Sequence, residues 1–505
     1  MADVRPNIIV ITTDQQRCDS LGCYGSDFTS TPNIDRLASE GVLMEQAYCA
    51  NPVCTPARAS IFSGLYLSRH GAWNVGLNVP EDVPLLSHML AAEGYRTHYI
   101  GKAHFQAFGG TPEQSREQIG AGQSRFPEWR GPYYGFETVE LSLGHTTFGI
   151  YGHYGHWLME QVGRERWESF RRSSPLASPW FGGEAHDWDM PTALHSSVWT
   201  AERAVEFLEA HDGRKPFLLG IGFQDPHHAH CVPRDFTDRV SADAVPLPDY
   251  REGELDDKPP HFRDARAGRL ESSPTRGDFW MAGQGPGADY RIVSERDARL
   301  GRAYYHTMVR LIDREMGRIL DALDRRGLAE DTLIVFTTDH GELLGDHGLW
   351  MKGPFHYEEL VRIPMILRGT RFFPGGRRAA GLFSQVDIVP TVLAALGVSA
   401  RAGLDGVDAG PMLRGDAASV RSDALIECVD DPRKLRLKTL VTADRKLTWY
   451  AEAEYGELYD LRRDPREKVN LWNDPRYAAD KARLLGRLLD LSQPLERRAP
   501  RFCYA

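Results

Sequence analysis

The sequence predicts an α/β sandwich: a large, mostly parallel central sheet flanked by helices, then a small antiparallel sheet with a helix. Three observations carry this. Continuous apolar runs of strand length recur through residues 1–400, as in strands buried on both faces. Between them lie segments that begin at proline and stop before glycine, the punctuation of short helices. Beyond residue 400 shorter runs alternate as antiparallel strands do.

The runs are NIIVITT (7–13), THYI (97–100), FLLGIGF (217–223) and TLIVFTT (332–338). Helices are expected over 32–40, 56–63 and 84–93. A longer helix precedes TLIVFTT, with Met308, Leu311, Ile312, Met316, Ile319, Leu320 and Leu323 on one face. Residues 386–396 read as the helix that finishes the large domain, 1–400. ALIECV, LKTLVTA and KLTWYAE, followed by a helix near 478–492, form the C-terminal subdomain, which with its tail spans 401–505. Residues 105–200 and 230–297 lack clean periodicity and are expected as irregular insertions. The first is a pocket wall or a packed surface insertion, the second a lid or an oligomer contact.

Of the 505 residues, 42% are hydrophobic and 26% charged, the proportions of an ordinary globular protein. A net charge of −10 argues against a nucleic-acid or anionic-membrane partner. The chain runs from MADVRP straight into its first strand, with no leader or membrane-spanning stretch in view. Seven scattered cysteines make neither a disulfide framework nor a CxxC zinc site, and their odd number favours a reducing cytoplasm.

In an open parallel sheet, groups beyond the carboxyl ends of the strands line the site. Asp14 and Gln15 follow the first run, Asp339 and His340 the last. Singly, a strand-end aspartate is a turn former or helix cap and a lone histidine is structural. Two TTD ends together point instead to one shared metal. Oxygen donors with one imidazole suit Ca²⁺, Mg²⁺ or Mn²⁺, and the histidine tilts the choice towards Mn²⁺. Arg58, Lys102, His104, His227 and Lys352 sit in or beside these ends and supply a positive complement, as for an anion held against a cation.

CTPARAS (54–60) places Cys54 at the N-terminus of a helix, where a thiol pKa is lowered. One reading is a thiolate nucleophile with His104 or His227 as its base. Another is a small buried hydrophobe. A hard cation beside it suits neither.

CTPAR also resembles the CxPxR signature of the type I sulfatases, whose cysteine is oxidised to formylglycine after synthesis. GYRTHYIGKAH (94–104) resembles that family's second signature, and TTDHGELLGDHGLWMK (337–352) its metal and lysine block. PNIIVITTDQQR (6–17) is similar to its first metal strand, and GELYDLRRDPREKVNL (456–471) to its C-terminal element. The resemblance implies the alkaline-phosphatase-like fold. It implies formylglycine at Cys54, made by a formylglycine-generating enzyme. One hydroxyl of the hydrated aldehyde would attack sulfur, and the other would expel the bound sulfate. Asp14, Gln15, Asp339 and His340 match metal ligands, for Ca²⁺ or Mn²⁺. Arg58 matches the residue that supports the formylglycine. Lys102, His104 and Lys352 match groups on the anion or the aldehyde hydrate. His227 matches the acid that protonates the leaving oxygen, with His228 as the alternative. Asn74 resembles an asparagine that contacts the substrate anion, with Asn78 as the alternative.

Many sulfatases carry Asp where Gln15 stands and Asn where His340 stands. The Gln and His versions resemble the choline-sulfatase and phosphonate monoester hydrolase branch. Phosphonate monoester hydrolases have Tyr and Thr at the positions of Lys102 and His104, which favours a small-molecule sulfate monoester here. A phosphonate or phosphodiester hydrolase with the same site is the second reading. A non-catalytic metal-binding protein in which Cys54 stays a thiol is the third. A homo-oligomer is expected, with the tail RRAPRFCYA (497–505) against another subunit. The leaving alcohol is not specified by any motif.

Overall fold

The computed structural model describes residues 5–493 apart from 127, 147–148, 173–184, 269–288, 400–402 and 432–434. Its strands are β1 (Asn7–Thr13), β2 (Val42–Tyr48), β3 (Arg96–Gly101), β4 (Thr138–Leu143), β5 (Ala185–Trp188), β6 (Phe217–Gly222), β7 (His230–Pro233), β8 (Thr332–Thr338), β9 (Met365–Arg368), β10 (Arg377–Ser384), β11 (Asp423–Asp431), β12 (Leu435–Thr442), β13 (Arg445–Tyr450) and β14 (Gly456–Asp460). Eight form the central sheet in the order β10-β2-β9-β8-β1-β6-β3-β4. Only β9 runs antiparallel to its neighbours. The mixed α/β sandwich is the predicted class.

The four apolar runs are the middle of that sheet, side by side as β8, β1, β6 and β3. Every residue of β1 and β8 is buried, as two-sided packing requires. Their register pairs Asn7 with Thr332 and Thr13 with Thr338, so both chains leave the sheet at one level. β6 and β3 end there too, Gly222 opposite Gly101. A Cβ at Gly101 would lie 2.1 Å from the Gly222 carbonyl oxygen, and one at Gly222 would lie 2.1 Å from that of Lys102. Only glycine permits this contact, which sets where Lys102 leaves β3.

Helix Cys54–Ser63 starts two residues earlier than the proline signal suggests, and all its residues are buried. Cys54 is thus its first residue. Helix Pro32–Glu40 docks on the long helix Glu295–Arg325 through Asp313, which accepts from Asn33 N at 3.1 Å and Ile34 N at 2.8 Å. That carboxylate satisfies first-turn N–H groups of its neighbour. The segment 385–395 forms a short turn of 3₁₀ helix and helix Ile388–Ala395, close to the expected end of the large domain.

Residues 105–200 are more regular than expected. β4 extends the central sheet beside β3, and helix Gly152–Arg172, bent at Gly163, packs on it. In β4 buried Val139 and Leu141 alternate with less buried Thr138 and Glu140. The helix was hidden by its histidines and glycines, which break the apolar period.

The other insertion straps the two sheets together. Lys258 Nζ donates to the carbonyls of Glu467 at 3.2 Å and Lys468 at 3.1 Å, and Asn470 N donates to Asp257 at 2.9 Å. The C-terminal unit is the antiparallel sheet β11-β12-β13-β14 with helix Ala478–Ser492 against it. Among the described residues no helix is long and apolar enough to cross a membrane. The tail 497–505 lies outside the described residues.

His347 joins these parts. Its Nδ1 lies 2.6 Å from Glu254 and its Nε2 3.3 Å from Glu359, with the ring 3.6 Å above that of Tyr357. Burial opposes the charge, but the two carboxylates win and raise its pKa from 6.5 to about 9. A raised folded-state pKa gives stability that is full below 6.5 and lost as pH rises through about 9. The expected loss is roughly 3 kcal/mol. Urea denaturation from pH 6.5 to 9 should show this decline, and His347→Asn, which suits the left-handed backbone (φ 58°), should be less stable with the slope removed.

Candidate active site

The strand ends bring ten of the eleven candidate residues into one buried cluster, nine of them linked by hydrogen bonds and His104 by ring contact alone. Arg58 projects from helix Cys54–Ser63 and donates from Nε to Asp339 at 2.9 Å and from Nη2 to Asp14 at 3.3 Å. The same guanidinium reaches the carbonyls of Lys102 at 2.7 Å and Thr13 at 3.3 Å. One fork thus ties the ends of β1, β3 and β8 together. Lys102 Nζ forms an ion pair with the same Asp14 oxygen, Oδ2. Against the penalty of burial, Lys102, Arg58 and Lys352 hold the Asp14 carboxyl well below its ordinary pKa, so it is ionised.

Cys54 Sγ lies 3.0 Å from Lys352 Nζ, 3.3 Å from His340 Nε2 and 3.7 Å from Asp14. Burial first, then Asp14, push its thiol up to about 11 in spite of Lys102 and Lys352. The helix N-terminus does not produce a thiolate here. The expectation of a lowered pKa is therefore corrected: desolvation outweighs the helix dipole and the lysines.

The histidines are held neutral and oriented. His340 Nδ1 donates to the Gly341 carbonyl at 2.9 Å, so Nε2 carries a lone pair facing Cys54. Burial lowers its pKa to about 4. His227 Nδ1 donates to the His228 carbonyl, and its Nε2 accepts from Lys352 at 3.0 Å. Burial, His228 and the two lysines keep it well below its ordinary pKa. His104 is likewise neutral through burial and Lys102, stacks on Phe108 at 4.3 Å, and has a buried Nδ1 without a protein partner. Gln15 Oε1 accepts from Lys352 at 3.0 Å.

Asn74 stands apart. Its Nδ2 donates to the Asp430 carbonyl at 3.2 Å, so it braces β11. Asn78 donates to Gln114 O at 2.7 Å, inside the first insertion. His228 sits at the rim, with Nδ1 3.4 Å from Gln15 Nε2.

One oxygen each of Asp14 and Asp339, His340 nitrogen and Cys54 sulfur all lie within 4.8 Å of one another. A single cation with ligands at roughly 2.0–2.6 Å spans such a set. The hard donors, the free Nε2 lone pair and the ionised carboxylate fit such an ion.

The sulfatase family profile matches residues 6–398. The chain belongs to the sulfatase family. A second profile, described as N-sulphoglucosamine sulphohydrolase, C-terminal, matches residues 345–494. As a sulfatase the chain is a sulfuric ester hydrolase, acting on a sulfate monoester. It is 28% identical over 507 residues to the uncharacterized sulfatase YidJ of Escherichia coli (strain K12), covering 96% of this chain and 87% of that one. It is 26% identical over 493 residues to a choline-sulfatase of Rhizobium meliloti (strain 1021), covering 96% and 86%. In structure it is similar to a phosphonate monoester hydrolase of Agrobacterium radiobacter, with TM-score 0.78 at 24% identity over 97% and 96% of the two chains. The fold is that of the alkaline phosphatase superfamily.

Three residues of the sulfatase site escaped the sequence reading. His145 stacks on His227 at 3.7 Å, and its Nδ1 accepts from Lys102 at 2.8 Å. It follows the end of β4, so the strand-end rule reaches it once β4 is recognised. Glu117 accepts from the backbone N–H groups of His104 at 3.1 Å, Phe105 at 2.9 Å and Gln106 at 3.2 Å, and so holds the left-handed turn at His104. Glu342 receives the Gln15 amide. Nothing in the sequence neighbourhood marks Glu117, and Glu342, although it lies in the block 337–352, was given no role there.

Replacing Arg58 by Lys keeps the charge but loses the fork between two buried carboxylates. A loss of about 3–5 kcal/mol is expected, read as an earlier urea midpoint in the metal-free protein. An unchanged midpoint would show that the fork does not hold the strand ends.

Proposed function

We propose that this sulfatase hydrolyses a small-molecule sulfate monoester through formylglycine at position 54. In this reading Asp14, Gln15, Asp339 and His340 hold one divalent cation, Ca²⁺ or Mn²⁺. The observation that carries the reading is the position of Cys54 Sγ, in contact with Lys352, His340 and Asp14. A thiol with its pKa at about 11 is a poor nucleophile, so the position makes sense for a precursor. The neutral imidazole of His340 leans the metal choice towards Mn²⁺. A formylglycine-generating enzyme is the maturation partner.

Bound there, the cation would supply Lewis acidity, and the formylglycine a hydrated aldehyde with one hydroxyl for attack and one for release. The remaining work falls to the chain's own side chains. Lys102 and Lys352 place two ammonium groups beside residue 54, where they would bind sulfate oxygens and neutralise charge that grows during transfer. His104 Nδ1, buried without a protein partner, offers a further contact. His227 Nε2 faces Lys352, and a bound anion would offset the repulsion that, after burial, keeps the ring neutral. That nitrogen would then hold the proton destined for the leaving oxygen. Burial of the whole cluster excludes bulk water and strengthens each of these interactions.

Lys102 and His104 favour sulfate over phosphonate or phosphodiester esters. Paired aryl sulfate and aryl phosphonate substrates test this: kcat/KM should be higher for the sulfate, and the reverse order would sink the preference. Lys102→Ala and His104→Ala should each lower kcat/KM for the sulfate by about 10²–10³, and less for the phosphonate. For protein made with the maturing enzyme, mass spectrometry of the residue-54 peptide should show an aldehyde in place of the thiol. Active protein with Cys54 wholly unconverted would overturn the mechanism.

A further inference from the structure

Glu342 is a buried carboxylate that the steps above do not use. Three donors converge on it. Leu344 N at 3.0 Å and Met351 N at 2.5 Å meet Oε1, and the Gln15 side-chain amide donates from Nε2 to Oε2. A glutamine amide has two faces of similar shape and opposite polarity, so a neighbour that only accepts decides which way it turns. With Nε2 on Glu342, Oε1 must point the other way. There Lys352 Nζ meets it at 3.0 Å, and that ammonium lies 3.0 Å from Cys54 Sγ and 3.4 Å from His340 Nε2. Oε1 therefore opens on the donor cluster. The main chain of Gln15 is pinned as well: N donates to Asp339 Oδ1 at 3.0 Å, and the Tyr305 hydroxyl donates to O at 2.9 Å. The amide flip is the freedom left to this residue.

We propose that Glu342 is a positioning residue that sets the polarity of the Gln15 amide, so that an oxygen and not an NH₂ faces the cation. This rests on the reading of Gln15 as a metal donor. Through Met351, whose backbone is left-handed (φ 65°), the same carboxylate also anchors the residue before Lys352.

The test is Mn²⁺ titration calorimetry on the metal-stripped full chain. Glu342→Gln retains an oxygen for Leu344 and Met351 but presents an NH₂ to Gln15, which favours the flipped amide. Its Mn²⁺ affinity should fall about 10–100-fold. The exchange Q15E/E342Q restores an acceptor facing the cation and a donor behind it, so its affinity should return to the wild-type value or above. A merely structural role for Glu342 predicts no such rescue. Wild-type affinity in E342Q, with Gln15→Ala weakened, would overturn the proposal alone. Unchanged affinity in Q15A would remove the donor reading, and the proposal with it. Should E342Q not fold, Q15E/E342Q decides by itself: affinity near wild type supports the proposal, and weakening to the level of Q15A overturns it.

Discussion

The structure depends on one guanidinium. Two buried aspartates at the ends of adjacent parallel strands repel each other in a medium that screens little. Arg58 lies between them, bonded to both and to two backbone carbonyls. That constraint explains why helix Cys54–Ser63 is wholly buried: it must pass behind the strand ends to deliver the arginine four residues after the cysteine. The spacing of CTPAR thus has a structural meaning besides any role as a recognition label. One turn of helix puts residues 54 and 58 on the same face, Cys54 against Lys352 and His340 and Arg58 against the two aspartates.

Around that fork the charges are arranged by exclusion of water. Burial first, then Lys102 and Lys352, keeps the neighbouring imidazoles neutral, and the neutral imidazoles in turn present lone pairs. Stacking supports the arrangement, His145 on His227 and Phe108 on His104. Neutral stacked rings thus lie beside an ionic cluster of Asp14, Arg58 and Lys102.

How much of this was legible follows the hydrophobic pattern closely. β1, β6 and β8 stood out because strands buried on both faces read as unbroken apolar runs, and their polar ends mark the site. β2, β9 and β10 did not, since β9 has only four residues and β10 is partly exposed. Residues reached by strand ends, Asp14, Lys102, His227, Asp339 and His340, were found. His145 was lost with β4. Glu117 and Glu342 were missed for a different reason: they act on backbone N–H groups or an amide brought near by tertiary folding, so even inside the quoted block 337–352 the role of Glu342 leaves no trace in local sequence. Asn74 shows the converse case: its motif resembles a substrate contact, while its Nδ2 is used on β11 and its buried Oδ1 has no protein partner.

The site is framed by side chains on backbone that glycine would adopt more readily. Gln15, His104, Leu344 and Met351 all have left-handed φ, between 47° and 66°. For non-glycine residues this conformation is disfavoured, and it persists where the surroundings over-determine it. Selection for thermal tolerance alone would accordingly draw these four positions towards glycine or asparagine, relaxing the backbone while erasing the groups it holds. A library built to stabilise this fold should leave them fixed and seek its gains on the outer helices.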